Sequence, residues 1–306
     1  MKMFNVAVVI VTYNRLEKLK IALTHYEKQV LLPKYIIVID NNSIDGTDEY
    51  LAEWKNQKSE IKKHVISLKQ NLGGAGGFYE GEKYAMELPD VDWIMIADDD
   101  AYPAEDYLWG MWNYVKNQRD INSIALICGK VIEHNRIITH HRKYVRNKWY
   151  WNMFRDIPSE EYEGKILYPD FVSYVGIIVK KNVLKKAGLV DRNFFIWMDD
   201  TEHSYRIHKY GQLICLTDYA IYHDVSLENF YLCWKSYYSF RNRTVFFKRY
   251  CKLQFPFVIL LQVLKSILCP IKGKSFTEVK LRLTAIKDGV LGNMGMNDVY
   301  KPGWKP

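Results

Sequence analysis

Residues 95–103 read MIADDDAYP, so three carboxylates, Asp98, Asp99 and Asp100, stand in a row directly behind the apolar run Trp93–Ala97. Such close like charges repel, and a plain surface turn more often mixes Asp with Gly, Asn or Ser. The run therefore calls for something positive beside it. Asp98 and Asp100 alternate at a strand end, so both would turn to one side and Asp99 to the other. Paired hard oxygen donors suit Mg²⁺ or Mn²⁺, ions that retain water and bridge to phosphate. Taken alone, DDDAYPAED also reads as a capped turn in which Asp100 and Pro103 start the next helix.

A second acidic group lies in WMDDTEHSYR (197–206), where Asp199, Asp200 and Glu202 occupy a strand-to-helix junction. A helix N-terminus favours negative charge there, and Glu202 is spaced for an ion pair with Arg206. Neighbouring carboxylates raise one another's pKa, and one beside a substrate hydroxyl can act as general base. The preceding Phe194, Phe195 and Trp197 suit either a platform for a sugar face or the core. His223, just past a predicted strand, would bias an Asp/Asp/His set toward Mn²⁺ over Mg²⁺. His140 and His141 read as part of a solvent-facing basic loop.

The glycine-rich NLGGAGG (71–77) offers backbone N–H groups at a helix start, which is how pyrophosphate is held. It is no dinucleotide fingerprint, because the turn after the first strand is TYNR with no glycine, and no GxxxxGK[ST] loop is present. A nucleotide diphosphate, with Asp40 and nearby polar groups reading the base, fits better than NAD or ATP hydrolysis.

These residues need a frame. VAVVIV (6–11), YIIVID (35–40), HVISL (64–68) and WIMIA (93–97) read as buried strands, separated by helices over 15–29, from about Asp45, and from about Ala75. This β-α alternation predicts a parallel sheet covered on both faces, with ligands at the carboxyl ends of its strands. TYNR, DNNSIDGT, QNLGGAGG and DDD each follow one of the four strands, so the polar clusters line one crevice. Further on, ALICGKVI (125–132) and FVSYVGIIV (171–179) have strand character. The stretch 139–165 is basic, aromatic and aperiodic, which marks a functional loop. QLICLT and AIYHDVS follow, then a helical tail from about Glu228.

Composition sets further bounds. With 48% hydrophobic and 25% charged residues, the chain is globular rather than disordered. Five scattered cysteines without a CxxC pair suggest neither a disulfide framework nor a zinc knuckle and fit a reducing cytosol. The charge of +8 is concentrated: Tyr231–Pro306 carries 14 Lys/Arg against three acids, 14 − 3 = +11, leaving −3 for the rest. This segment holds FPFVILLQVLKSILCPI (255–271), too short to span a bilayer of about 30 Å at about 1.5 Å per residue. It suits an interfacial helix on an anionic lipid surface, a contact between copies of the chain, or a buried helix with a basic rim. No nucleic-acid-binding motif accompanies the charge.

TYNR, DNNSIDGT, NLGGAGGF, DDD and FFIWMDDTEHSYR, in this order, resemble the family 2 glycosyltransferases, inverting enzymes of GT-A fold. The likeness is greatest to bacterial galactofuranosyl and rhamnosyl transferases of cell-wall galactan, O-antigen or capsule synthesis. It covers residues 6 to about 225, and YYSFRNRTVFFKRY (237–250) also looks like their tail. The resemblance implies a GT-A catalytic domain over 1–227, with a nucleotide half to residue 100 and an acceptor half after it, and a helical basic extension over 228–306. It implies Asp98, Asp100 and His223 as ligands of Mn²⁺ or Mg²⁺, Asp200 as base and Asp199 as the residue orienting acceptor or donor. Thr12, Asn14, Arg15, Asp40, Asn71, Gly74, Ala75, Gly76, Asp99 and Trp197 would meet the nucleotide sugar. The donor would be UDP-galactofuranose or dTDP-rhamnose, and the acceptor a polyprenyl-diphosphate-linked glycan met in the cytoplasm at the inner face of the membrane. A noncatalytic glycan-binding protein has no need of Asp200, and a nucleotidyltransferase would make a nucleotide sugar rather than consume one.

Overall fold

The computed structural model describes residues 4–225 and 232–306. The expected tail start at Glu228 and the domain boundary between residues 227 and 228 lie outside the described residues. The chain opens with β1 (Val6–Thr12), α1 (Leu16–Glu27), β2 (Tyr35–Asp40), α2 (Thr47–Trp54), β3 (Lys62–Ser67), α3 (Gly73–Glu87) and β4 (Trp93–Asp98). Every residue of β1 and β2 is buried, as expected of β-branched runs in a parallel sheet covered on both faces. The order is β3-β2-β1-β4, all parallel. The chain thus moves outward from β1 to β3 and returns through α3 to the other side of β1. The reversal opens a crevice at the carboxyl ends of β1 and β4, where Thr12 and the three aspartates sit. Gly81 lets α3 close on this sheet, because a Cβ there would lie 2.2 Å from the Val9 side chain.

After the aspartates comes a short strand, β5 (Ala101–Pro103), and only then α4 (Tyr107–Lys116). The capped-turn alternative is therefore excluded: Asp100 leads into a strand, which pairs antiparallel with the far end of the last sheet strand. β6 (Ile124–Glu133) and β7 (Arg136–Ile137) form a hairpin. The stretch expected to be an aperiodic loop contains β8 (Arg142–Val145) and β9 (Phe154–Asp156), and β10 (Ile166–Leu167) follows it directly. FVSYVGIIV splits into β11 (Phe171–Val172) and β12 (Ile177–Lys180), with β11, β8 and β9 making a separate three-stranded sheet. α5 (Lys181–Ala187) and α6 (Asp199–His208) follow. QLICLT and AIYHDVS are one strand, β13 (Gln212–His223), irregular between Leu216 and Ala220. In the main sheet β12 runs antiparallel between β4 and β6, while β13 pairs parallel with β6.

The basic C-terminal segment is helical: α7 (Trp234–Tyr250), α8 (Phe255–Ile267) and α9 (Phe276–Leu291). α7 buries aromatic and polar residues alike, packing Phe246 and Phe247 into one core cluster with Met153, Phe154, Phe171 and Phe194. α8 is not the buried helix that its composition allowed, for most of its large apolar side chains are exposed. Among the described residues no helix is long and apolar enough to cross a membrane.

Candidate active site

The triplet at the end of β4 is surrounded by positive charge. Arg15 Nη1 donates to Asp100 Oδ2 at 2.7 Å and Asp99 Oδ1 at 3.2 Å, and the Thr12 hydroxyl donates to Asp99 Oδ2 at 2.8 Å. Strand pairing brings in His223, whose register partner is Ala101, so that its Nε2 stands 3.5 Å from Asp100 Oδ1. Asp98, Asp100 and His223 each offer a ligand atom within 4.8 Å of the others. Two carboxylates and an imidazole fit a divalent transition ion, with Mn²⁺ favoured by the nitrogen. Burial, reinforced by Asp100, pushes Asp98 up to about 7. Burial likewise takes Asp99 to about 6 against the opposing pull of Arg15. Asp100 moves the other way: although burial works to raise it, His223 and Arg15 hold it below the usual carboxylate range. Burial disfavours the imidazolium of His223, yet Asp100 and Glu133 lift it to about 9.

Glu133, at the end of β6, was not legible in the sequence. Its Oε1 accepts from His223 Nδ1 at 2.7 Å and from His141 Nε2 at 2.9 Å, and the Ser173 hydroxyl lies 2.7 Å from His141 Nδ1. A carboxylate on Nδ1 fixes the ring so that Nε2 faces the aspartates, the arrangement that orients histidine ligands. His141 is therefore buried in this chain of contacts, not part of a solvent-facing loop; only His140 is exposed. No local sequence pattern links Glu133, His141, Ser173 and His223: the β6–β13 register sets Glu133 beside His223, and the turn before β8, bonded to Ser173, brings in His141.

The loops after β1 and β2 are zipped together. Asn14, with left-handed backbone, accepts from the Ile44 amide at 2.8 Å, and Asp45 accepts from the Leu16 amide at 3.0 Å. Asp40 is buried and accepts from the Ser43 amide at 3.0 Å. Asn71 accepts from the Gly73 amide at 2.8 Å, and Asn41 donates to the Gly73 carbonyl at 2.9 Å. At the glycine-rich turn the structure shows a packing role beside the expected anion-binding one. Gly73 has φ 74°, and a Cβ there would lie 2.1 Å from the Phe195 carbonyl oxygen. The same oxygen accepts from the Ala75 amide at 3.2 Å, so that N–H is already engaged. Gly74 and Gly76 lie in the same first turn of α3.

This contact joins α3 to the second acidic group. Phe195, Trp197 and Met198 all have φ between 62° and 68°, a conformation that costs non-glycine residues energy and persists only when its surroundings impose it. α7 imposes it. Asn242 Nδ2 donates to the carbonyls of Phe194, Ile196 and Trp197 at 2.8–3.0 Å, and Arg241 Nη2 donates to that of Phe194 at 2.9 Å. Both are fully buried polar side chains in an aromatic helix, and buried polar groups of this kind are hydrogen-bonded. Phe194 and Phe195 belong to the core, whereas Trp197 is 38% exposed. Glu202 bonds Arg206 and Tyr250, as its spacing predicted for the arginine.

Asp199 and Asp200 thus emerge at the first turn of α6 from a strained, pinned loop. Burial, together with Asp200, pushes Asp199 well above the carboxylate range, and Asp98 adds to the effect, so the two acidic groups share one field. Burial also raises Asp200, against the Thr201 amide and Lys143. Both hydrogen bonds that Asp200 accepts fall on Oδ1, from the Thr201 amide and hydroxyl.

Comparison with known proteins agrees with this architecture. The chain is similar to galactofuranosyltransferase GlfT1 of Mycobacterium tuberculosis, 25% identical over 208 residues, or 68% of this chain and 66% of that one. The corresponding protein of Mycolicibacterium smegmatis is 35% identical over 100 residues, only 31% of its length. The chain therefore spans about one third to two thirds of these relatives. It is also similar to dTDP-rhamnosyl transferase RfbF of Shigella flexneri, 24% identical over 306 residues, covering 95% of this chain and 97% of that one. Two solved structures share the fold. S. aureus TarS 1–349 in complex with UDP-GlcNAc has a TM-score of 0.63 at 15% identity, covering 94% of this chain and 80% of that one. GalNAc-T7 with UDP, GalNAc and Mn²⁺ has 0.66 at 16%, covering 94% and 56%. Residues 7–175, more than half of the sequence, match the family described as Glycosyl transferase family 2, and the chain, which has the GT-A fold, belongs to that family.

Proposed function

We propose that this glycosyltransferase moves galactofuranose from UDP-galactofuranose to a hydroxyl of a polyprenyl-diphosphate-linked glycan, with inversion at the anomeric carbon. The observation that carries the reading is the meeting, at one sheet crevice, of an Asp98/Asp100/His223 donor set with a raised aspartate pair at the start of α6. Asp98, Asp100 and His223 would hold Mn²⁺ or Mg²⁺, which when bound neutralises charge on the departing diphosphate. Thr12, Arg15, Asp40, Asn71 and Asp99 line the nucleotide side, and Trp197 would cover the sugar. Asp200 takes the proton from the acceptor hydroxyl as that oxygen bonds the anomeric carbon and the carbon–diphosphate bond breaks, its electron pair leaving with the nucleotide. Its raised pKa strengthens it as a base, and Asp199 orients the acceptor. The acceptor is met at the cytoplasmic face of a membrane.

A second reading keeps every residue role and replaces the donor with dTDP-rhamnose. It is favoured by the match to RfbF over 95% of the chain. Release of nucleoside diphosphate from each donor, measured with a lipid-linked glycan acceptor, separates the two. Turnover of UDP-galactofuranose alone supports the first reading, turnover of dTDP-rhamnose alone supports the second, and turnover of neither refutes both.

A further inference from the structure

The helix α8 is built inside out for a protein surface in water. The side chains it buries against the body are Val258, Gln262 and Ser266, one of them apolar and two polar, spaced four residues apart along one face. Its outward face carries Phe257, Leu260, Leu261, Leu264, Ile267 and Leu268, between 37% and 58% exposed. Helices facing water carry the opposite pattern, and contiguous apolar patches of this kind mark an interaction surface. The patch continues past the helix into Ile271 and Phe276, each 82% exposed.

Two neighbours say what covers it. From Lys252 to Lys274 the sequence has four lysines, Lys252, Lys265, Lys272 and Lys274, and no acid. Lys252, Lys265 and Lys274 are exposed around the apolar face. On the other side, Trp149 packs edge-on against Phe257 at 6.0 Å, and Trp149 and Tyr150 are exposed within a loop that also carries Arg146 and Lys148. Apolar side chains at the centre, tryptophan and tyrosine at the edge and a lysine rim match the layers of a bilayer surface with anionic headgroups. Thirteen residues at about 1.5 Å each cannot cross a hydrocarbon core of about 30 Å, so the helix would lie in the interface plane. A second copy of the chain is a poorer occupant, because a two-fold contact sets a patch against itself and would bring these lysines together without an acid among them.

We infer that α8, with the Trp149–Tyr150 loop beside it, docks the protein peripherally on anionic lipid. The inference does not depend on which nucleotide sugar is the donor. The test is co-sedimentation of the full chain with phosphatidylglycerol-containing vesicles and with pure phosphatidylcholine vesicles. It compares the wild type with the double variants Leu260→Glu/Leu264→Glu and Lys252→Gln/Lys265→Gln. All four positions are exposed, and an unchanged thermal melt verifies folding. The wild type should pellet with the anionic vesicles and release as salt rises. The leucine variant should lose at least about tenfold in partitioning, and the lysine variant should lose its preference for phosphatidylglycerol. Wild type that stays in the supernatant, or a folded leucine variant that pellets equally, overturns the inference. So does sedimentation equilibrium showing a dimer that the leucine substitutions dissolve, which would make a second copy the occupant.

Discussion

The two acidic groups of the active site are held in opposite ways. At the end of β4, three adjacent carboxylates are balanced by side chains: Arg15 bonds two of them, and His223 reaches Asp100 from the far end of β13. At the start of α6, Asp199 and Asp200 have no such cation at bonding distance among the described residues. Their loop is forced into shape by the backbone contacts of Asn242 and Gly73. The first arrangement keeps Asp100 ionised and gathers donors for a cation. The second raises both carboxylates, which suits a group that must accept a proton. The same residue type titrates in opposite directions because its surroundings differ in charge and water.

Substitutions can break that comparison on either side. Replacing the proposed proton acceptor, Asp200→Asn, should lower the transfer rate by about 10²–10⁴-fold with UDP affinity unchanged, as measured by kcat and by titration. Loss of UDP affinity in this variant would place Asp200 on the donor side instead. On the cationic side, Glu133→Gln removes the carboxylate that orients His223. Mn²⁺ affinity, read by electron paramagnetic resonance of the free ion, should fall about 10–100-fold. An unchanged affinity would mean that His223 needs no fixed tautomer. Asn242→Ala leaves the Ile196 and Trp197 carbonyls of the strained loop without their donor, that of Phe194 keeping Arg241, and should cost about 2–3 kcal/mol in denaturant unfolding. A neutral result would show that the left-handed backbone is held by packing alone.

The smallest effect concerns a third buried acid, Glu82 of α3. Its Oε2 accepts from the Val190 amide at 2.9 Å, and its Oε1 stands 3.5 Å from His203 of α6. Burial raises it from 4.5 to about 8. An acid raised on folding contributes fully below its unfolded pKa and loses that contribution as the unfolded chain ionises. Stability should therefore decline from about pH 4.5 toward pH 8 through this group, and Glu82→Gln should flatten that decline in a Tm-against-pH series. A slope identical in the variant would assign the decline to other residues.

Local signals carried much of this architecture. The β-α series up to the aspartates, the four polar strand ends and the Glu202–Arg206 pair were readable because each rests on spacing within a few residues. Meetings between distant residues were not. The strands of 139–165 are three or four residues long, too short for a periodic signal, and the pairing of β8 with Phe171–Val172 depends on the fold. His223 was expected near the metal, but Glu133, which holds it, arrives through the register of β6 against β13, and His141 reaches Glu133 from the turn before β8. Asn242 lies in a segment that looked like the family tail, yet its bonds to the Phe194–Trp197 loop span 45–48 residues. Composition alone left α8 open between core and surface, because hydrophobic content does not say which face is covered.

The central claim is that the aspartates after β4 hold a divalent ion for a nucleotide diphosphate, and calorimetric titration of UDP tests it most directly. UDP should bind the wild type with Mn²⁺, bind far more weakly with EDTA, and lose the difference in Asp98→Ala. Equal binding with Mn²⁺ and EDTA, or an Asp98→Ala variant as responsive to Mn²⁺ as the wild type, would contradict it.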